Sequence, residues 1–171
     1  MLKAYLKDGN YIEFEEDSTA YDVVGLISSG LQRAALVVEI DGKICDLTTK
    51  INKDCKFIVH TFDTAPGKKA FWHTASHVLA HAVKRLYPNT KLAIGPAIEN
   101  GFYYDFETET PFTPETLALL EAEMKKIIKE GFKLEKSTLT RDKAIELMVS
   151  RNEPYKQILI EELPEDEEIS F

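Results

Sequence analysis

Apolar and polar residues alternate over the first fifteen positions and predict a pair of β-strands, at residues 2–7 and 11–15. Asp8-Gly9-Asn10 separates the two runs and has the residue types of a tight turn, so the strands should form a hairpin. The periodicity then changes to that of a short helix, for which Asp17 or Ser18 is the expected N-cap. The chain is therefore predicted to begin with a β-hairpin followed by one helix.

A second group of apolar runs completes a small domain. Ser28-Ser29-Gly30 is predicted to end the helix, with glycine as the terminating residue. Residues 34–40 and 43–47 follow as two strands around an Asp-Gly turn, and residues 55–61 form a last strand. One helix among five strands is typical of the α+β class and of a β-grasp (ubiquitin-like) domain, which we assign to residues 1–62.

A change in composition separates this domain from the rest of the chain. Residues 63–70 contain a Pro-Gly pair among polar residues and are predicted to be an irregular linker. Residues 71–171 are predicted to form a second α+β domain, which opens with a helix over Phe71 to Leu86. Its further predicted elements are, in order, a hairpin of residues 91–98 and 102–106 around Asn100-Gly101, a helix from Thr113-Pro114 to Gly131, a strand within 132–139, a helix capped by Thr140 or Asp142 that runs through Met148, and an apolar segment at 155–160.

Composition places the chain among ordinary globular proteins. With 44% hydrophobic and 29% charged residues, a core can form without disulfides or a metal. Cys45 and Cys55 form no CxxC or CxxH motif, so no thiolate metal site is indicated. No stretch approaches the roughly 18 apolar residues of a membrane span, and the start has no signal-type apolar region. We therefore expect a cytoplasmic protein without a membrane partner.

The net charge restricts the choice of partner less than its value suggests. A total of −8 argues against a nucleic-acid partner, but the last eleven residues contain six acidic and no basic side chains. Without those six charges the remaining body carries a net charge of −2. Such a body permits a local basic patch without predicting one.

Three histidines on the first helix of the second domain are the strongest chemical signal. His73, His77 and His81 fall within an arc of about 80° at 100° per residue, opposite the apolar face. Two histidines four residues apart can hold a water between a base and a positioning group, because histidine exchanges its proton near neutral pH. The same face can instead be simply solvated. As metal ligands, His73 and His77 are only a partial set, since zinc takes three protein ligands in catalytic sites and four in structural ones.

Four other residues can complete a pocket. Gly95 lies in a kinked apolar strand and exposes backbone amides, and Tyr104 and Asp105 extend an aromatic platform on which a nucleobase can stack. Packing within a sheet is the alternative for aromatic residues in such a pattern. Lys156, in an apolar stretch, can bind a phosphate or a developing oxyanion, although a surface position is the usual one for lysine.

The sequence around these residues resembles a known family. The segments HTASHVLAHAVKRLYP, LAIGPAIENGFYYDF and RNEPYKQ resemble the amino-terminal region of bacterial threonyl-tRNA synthetase, and the β-grasp unit resembles the TGS domain of that family. The resemblance covers essentially the whole chain. It implies that residues 71–171 belong to an editing domain, which hydrolyses the ester of serine wrongly attached to threonine tRNA.

The resemblance also implies roles for individual residues. His73 and His77 would position or activate the attacking water, and Lys156 would assist the terminal adenosine or the leaving oxygen. The residues that would bind the tRNA terminus are Gly95, Tyr104 and Asp105. The implied partner is the acceptor end of tRNA(Thr), and the whole enzyme would be a homodimer.

One part of the family's editing site is not found in these residues. The family has a Cys-x-x-x-His motif shortly after the position of Phe171, and the 171 residues contain no such motif. The ATP, magnesium and zinc of the family belong to an aminoacylation core, so no cofactor is expected here. We therefore expect an editing domain that is incomplete at its C-terminal end, and a chain that is inactive in aminoacylation and weak or inactive in editing.

Two other functions use only part of the sequence. A TGS-type module that binds RNA or a small ligand without chemistry would depend on residues 1–62 alone. A free-standing metal-dependent hydrolase would depend on the helix histidines alone. A region of a tRNA synthetase accounts for both parts of the chain and is the leading interpretation.

Overall fold

A computed structural model describes all 171 residues, which form two compact units. The first unit contains residues 1–74 and 97–101, and the second contains residues 75–96 and 102–171. No helix in the structure has both the length and the apolar character needed to cross a membrane.

Seven strands and two short helices make up most of the first unit. They are β1 (Leu2–Tyr5), β2 (Tyr11–Phe14), β3 (Ser18–Thr19), α1 (Ala20–Ile27), α2 (Ser29–Ala34), β4 (Val37–Ile40), β5 (Lys43–Cys45), β6 (Lys50–Ile51) and β7 (Cys55–His60). The main sheet has the order β2-β1-β7-β4-β5, in which β1 and β7 are parallel and the other neighbours antiparallel. This mixed sheet with its helices confirms the predicted α+β class and β-grasp fold.

The core of the first unit follows the predicted alternation of apolar residues. Ala4, Phe14, Val38 and Phe57, each on a different strand, are almost fully buried together with Val24 of α1. Burying one such Val or Phe side chain stabilises the fold by roughly 1.5–3 kcal/mol. Strands β1 and β2 pair in antiparallel register, so the predicted opening hairpin is confirmed.

Helix α1 has a different N-cap from the predicted one. Thr19, and not Asp17 or Ser18, caps the helix. The side chains of Thr19 and Asp22 each accept a hydrogen bond from the backbone N–H of the other residue. The Thr19 hydroxyl accepts a hydrogen bond from the Asp22 N–H at 3.2 Å, and the Thr19 N–H donates to the Asp22 carboxylate at 3.0 Å. This reciprocal pair is a capping box.

The predicted stop at Ser28-Ser29-Gly30 is wrong in part. Ser28 does end α1, but its Oγ accepts a hydrogen bond from the Gly30 N–H at 3.2 Å and so caps α2, which contains Gly30. Helix α2 runs to Ala34, and the strand predicted over residues 34–40 is shortened to Val37–Ile40. One serine therefore serves both as the end of a helix and as the start of the next.

Helix α3 (Ala65–Leu86) begins six residues before its predicted start, so the irregular linker expected at residues 63–70 is wrong. Thr64 Oγ1 accepts a hydrogen bond from the Gly67 N–H at 3.3 Å, and Pro66 lies in the first turn, where no amide hydrogen is needed. Only glycine fits at position 67, because a Cβ there would lie 1.9 Å from the Thr61 carbonyl oxygen. Proline and glycine begin this helix and do not break it. The domain boundaries assigned to the sequence stay a prediction.

The rest of the chain contains six short strands and three helices. They are β8 (Lys91–Leu92), β9 (Ala97–Ile98), β10 (Gly101–Phe102), β11 (Phe106–Glu107), α4 (Pro114–Glu130), β12 (Thr138–Leu139), α5 (Arg141–Ser150), α6 (Pro154–Glu162) and β13 (Ile169–Ser170). Strand β8 pairs with β11, β9 with β10, and β12 with β13. The predicted α4 is confirmed, from its Thr113 N-cap to Gly131, which adopts a left-handed conformation at φ 66°.

The long strands predicted for this region are short in the structure. Gly95-Pro96 interrupts the run over residues 91–98, because proline has no amide hydrogen and glycine weakens a strand. The strand predicted within 132–139 is limited to Thr138–Leu139. The apolar segment at 155–160 belongs to helix α6, whose first position is the helix-compatible Pro154.

Two apolar clusters hold the second unit together. The first joins α3 to α4 through Ala82, Val83, Leu120 and Ile127. The second joins α5, α6 and β13 through Ala144, Met148, Ile160 and Ile169. Helix α6, which carries Lys156, is therefore packed along its length against α5.

Candidate functional site

Gly95 and Tyr104, two of the predicted binding residues, are in direct contact. A Cβ at Gly95 would lie 2.1 Å from Cδ2 of Tyr104, so only glycine allows this close approach. The Tyr104 ring also stacks on Phe106, with centroids 4.7 Å apart and planes inclined by 8°. Burial, and secondarily the charge of Glu153, raise the pKa of the Tyr104 phenol above its usual range. Tyr104 is thus a neutral phenol with a fixed ring.

Asp105 is held by its backbone. Its N–H donates to the Ile94 carbonyl at 2.9 Å, and its own carbonyl accepts a hydrogen bond from the Ala93 N–H at 3.0 Å. These two bonds hold the segment before Gly95 beside the segment that follows Tyr104. The Asp105 side chain is exposed, so its carboxylate faces solvent.

Lys156 lies in the first turn of α6 and is partly buried. Burial lowers the pKa of its ammonium below the usual range, and the negative charge of Glu153 opposes that shift. Lys156 takes part in none of the ion pairs of the structure.

Glu153, the N-cap residue of α6, is a buried carboxylate whose side chain is only 6% exposed. Its Oε1 lies 2.9 Å from Nζ of Lys84 on α3, and its Oε2 accepts a hydrogen bond from the Leu92 N–H at 3.3 Å. Lys84 in turn donates to the carbonyls of Pro88 and Thr90, each at 3.0 Å. Both charges are compensated, which burial of a carboxylate requires.

A second carboxylate cluster fixes the same turn of α6. The Tyr155 hydroxyl donates to the Glu107 carboxylate, and Lys91 Nζ lies 2.9 Å from that carboxylate. The hydrogen bonds from Tyr155 and Lys91 hold the pKa of Glu107 below its usual range. Glu107 and Lys91 are also opposite each other in the pairing of β11 with β8. Lys156 is thus preceded by two residues, Glu153 and Tyr155, that anchor its helix.

His73 and His77, the predicted catalytic pair, lie one helical turn apart on α3, and both are exposed. The division between the two units falls between Thr74 and Ala75, so His73 belongs to the first unit and His77 to the second. No group of three or more His, Cys, Asp or Glu side chains in the structure is arranged to hold a metal ion.

His81, one turn further along α3, belongs to a network of charged side chains. Its Nε2 accepts a hydrogen bond from Nε of Arg85 at 3.2 Å, and its ring centroid is 5.9 Å from that of Phe132. Arg85 also pairs with Glu123 and Glu130 of α4, at 3.2 and 2.7 Å. This third histidine is therefore part of the connection between α3 and α4.

Glu153 and Lys84 are not predicted as site residues from the sequence. Glu153 counts there only as the residue before Pro154, and Lys84 only as a polar neighbour of the histidines. The signal that could have found Glu153 is an acidic residue directly before a helix-starting proline and three positions before the candidate Lys156. No local pattern links it to Lys84, because the two residues lie on helices far apart in the chain.

Comparison with known proteins identifies both parts of the chain. Residues 2–61 match the TGS domain family. The threonine--tRNA ligase of Acetivibrio thermocellus is 56% identical over 171 residues, which is 100% of this chain and 27% of that protein. The enzyme of the same name from Caldanaerobacter subterraneus subsp. tengcongensis is 54% identical over 166 residues, or 97% of this chain and 26% of that protein. The one from Clostridium acetobutylicum is 54% identical over 171 residues, again 100% of this chain and 27% of that protein.

The chain thus spans about a quarter of the length of these curated relatives. The similarity does not stop at the end of the TGS match but continues through the segments that contain His73, Gly95, Tyr104 and Lys156. Residues 2–61 therefore match the TGS domain family, and the chain is similar over its whole length to the amino-terminal region of these threonine--tRNA ligases.

Proposed function

We propose that this chain works as the amino-terminal region of a threonine--tRNA ligase and takes part in the hydrolytic removal of serine from mischarged tRNA(Thr). The observation that carries the proposal is the similarity to threonine--tRNA ligases, which extends over all 171 residues at 56% identity. A TGS-type binding module would account only for residues 2–61. A metal-dependent hydrolase unrelated to these ligases would account for neither part of the similarity.

The need for such an activity follows from the chemistry of the two amino acids. Serine differs from threonine by one methyl group, and a synthetic pocket rejects the smaller substrate by only about 1–3 kcal/mol. A second site that admits serine and excludes the extra methyl group can hydrolyse the wrong product. The substrate of that site is the ester between serine and the terminal adenosine of the tRNA.

The proposed roles follow the chemistry of each side chain. His73 or His77 takes the proton of the attacking water, and a well-placed general base contributes roughly 10²–10⁴-fold to such a step. Lys156 donates to the terminal nucleotide or to the leaving oxygen, which is supported by its partial burial and by its absence from the ion pairs. The residues proposed to bind the tRNA terminus are Gly95, Tyr104 and Asp105.

The same proposal extends to partners and location. The tRNA partner is the acceptor end of tRNA(Thr), and the whole ligase would use ATP to attach threonine and would work as a homodimer. Its location would be the cytoplasm, where tRNA is charged for protein synthesis. These statements rest on the similarity to the threonine--tRNA ligases.

A chimeric ligase tests the proposal directly. In the threonine--tRNA ligase of Acetivibrio thermocellus, the matching 27% of the protein is replaced by this chain, and hydrolysis of Ser-tRNA(Thr) and Thr-tRNA(Thr) is followed separately. The chimera is expected to hydrolyse Ser-tRNA(Thr) and to spare Thr-tRNA(Thr). The purified 171-residue chain is a second arm, for which we expect little or no hydrolysis.

Substitutions in the chimera then assign the activity to this chain. His73→Ala and Lys156→Ala are expected to reduce hydrolysis of Ser-tRNA(Thr) without reducing attachment of threonine. Lys143→Ala is the matched control, because Lys143 is an exposed lysine on α5. A chimera that charges threonine normally but hydrolyses Ser-tRNA(Thr) independently of His73 and Lys156 would disprove the proposed roles.

A further inference from the structure

Two lysines lie near the charge of Glu153, and only one of them is paired with it. Lys84 Nζ is 2.9 Å from Oε1 of Glu153. Lys156 is three positions after Glu153 in the chain. The charge of Glu153 affects the pKa of Lys156, but the two side chains form no ion pair. The partner of the Glu153 carboxylate is therefore a lysine on another helix, and not the lysine that is nearer to it in sequence.

The paired lysine makes three polar contacts. Lys84 donates hydrogen bonds to the Pro88 and Thr90 carbonyls, each at 3.0 Å, and its Nζ forms the ion pair with Glu153. Lys84 is therefore the counter-charge of Glu153.

Glu153 also forms several hydrogen bonds. Besides Lys84, its carboxylate binds the Leu92 N–H of β8 at 3.3 Å. Its backbone N–H donates to the Met148 carbonyl of α5 at 3.0 Å, and its backbone carbonyl accepts a hydrogen bond from the Gln157 N–H of α6 at 3.1 Å. Residues of α3, β8, α5 and α6, all of them in the second unit, thus meet at Glu153.

We propose that Glu153 is a positioning residue for Lys156: held by Lys84 and Leu92, it fixes the first turn of α6, in which Lys156 lies. This inference rests on the proposed editing function. Since the carboxylate is already paired with Lys84, it supports the charge of Lys156 without occupying its N–H donors. The charge of Glu153 favours the protonated form of Lys156.

Three charged or titratable groups face the Glu153 carboxylate. They are Lys84 from α3, Lys156 from α6 and Tyr104 from the segment before β11. Burial lowers the pKa of Lys156 and the Glu153 charge opposes that change, whereas burial and the Glu153 charge together raise the pKa of Tyr104. One carboxylate thus favours the protonated form of both groups.

Glu153→Gln in the 171-residue chain tests this arrangement. NMR titration of the Lys156 13Cε and Tyr104 13Cζ signals is expected to give both midpoints at lower pH than in the wild type, because the negative charge is gone. Glu123→Gln is the matched control, since Glu123 is also buried, at 8% exposure, and pairs with the neighbouring α3 residue Arg85 at 3.2 Å. That control is expected to leave both midpoints in place.

Two outcomes overturn the inference. One is a folded Glu153→Gln chain in which the Lys156 and Tyr104 midpoints are unchanged. If Glu153→Gln does not fold, the wild-type chain supplies the other: its Glu153 13Cδ signal is expected to move as Lys156 titrates, while that of Glu123 does not. A Glu153 signal that ignores the Lys156 titration rejects the positioning role.

Hydrolysis separates this inference from the function on which it rests. In the chimeric ligase, Glu153→Gln is expected to lower kcat for Ser-tRNA(Thr) hydrolysis by about tenfold to a hundredfold, with little change in KM and with a pH profile that moves as the Lys156 midpoint does. If the wild-type chimera does not hydrolyse Ser-tRNA(Thr), the proposed function fails. The titrations still decide whether Glu153 positions Lys156.

Discussion

Gly95 and Tyr104 approach each other so closely that a β-carbon at Gly95 would lie 2.1 Å from the Tyr104 ring. Gly95→Ala is therefore expected to push Tyr104 off its stack on Phe106 and to destabilise the chain by about 1–3 kcal/mol, the usual cost of overpacking. Urea unfolding followed by circular dichroism measures the loss. In the chimeric ligase, the same change is expected to reduce hydrolysis of Ser-tRNA(Thr).

Gly30→Ala is the control for that substitution. Gly30 lies within helix α2, and a Cβ there would meet only Ser28 Oγ, at an ordinary contact distance of 3.5 Å. Replacing a glycine in such a place by alanine stabilises a protein by about 0.4–1 kcal/mol. Equal losses of stability in the Gly30 and Gly95 variants would contradict the steric argument.

The ion pair between Lys84 and the buried Glu153 predicts a large effect from a single change. Lys84→Met leaves a buried carboxylate without its cation, and the free energy of unfolding is expected to fall by about 3 kcal/mol, at the low end for a broken buried ion pair. The control is Lys125→Met, which removes the 2.7 Å pair between Lys125 and Glu121, whose side chains are 72% and 68% exposed. Little change is expected there, and urea unfolding of both variants checks the contrast.

The elements that local signals predict well are those whose ends are marked by residues close in sequence. Thr113-Pro114 and Gly131 mark the two ends of α4, and both ends agree with the structure. The start of α3 also has local signals, the Thr64 cap and Pro66 in the first turn, but it is missed because a Pro-Gly pair among polar residues is equally typical of a linker.

The candidate site shows a division between local and tertiary information. His73, Gly95, Tyr104 and Lys156 are predicted because they lie in recognisable sequence motifs. Glu153 is missed, because its importance lies in burial and in partners on α3 and β8. A charge pattern along the chain does not show which acidic side chain is inside the protein.

The capping box of α1 predicts a pH-dependent contribution to stability. Hydrogen bonds from the Thr19 side chain and backbone lower the pKa of Asp22, so their stabilisation is present above the ordinary pKa of about 3.8 and is lost as the pH falls through the lowered value. Thr19→Ala is expected to cost about 1 kcal/mol at neutral pH. The difference from the wild type should shrink as the pH falls below 3.8.

Thr140→Ala is the matched control for the capping box. Thr140 occupies the N-cap of α5, but its side chain makes no capping hydrogen bond. Its replacement is expected to change the unfolding free energy little and to leave the acid dependence as in the wild type. Urea unfolding at neutral and acidic pH compares the two variants, and a similar loss in both would argue against the cap.

The last prediction concerns the cost of burying Lys156. Burial lowers the pKa of this lysine in the folded chain below the ordinary value of 10.5, so between the two values the unfolded chain binds a proton that the folded chain has released. Stability therefore rises with pH across that interval. Below that interval, where the lysine is charged in both states, the folded chain bears the full cost of burying the charge.

Lys156→Met removes that cost, so the variant is expected to be more stable than the wild type at pH 7 while losing hydrolysis of Ser-tRNA(Thr) in the chimeric ligase. The gain in stability should diminish as the pH rises towards 10.5, because the wild-type lysine is then neutral in the folded chain. Urea unfolding at pH 7 and at pH 10 measures both effects. Lys143→Met, on the exposed face of α5, is expected to show no such gain. A Lys156→Met chain that is less stable than the wild type at pH 7 would mean that Lys156 stabilises the fold. Lys156 would then have a structural role and not a substrate-binding one.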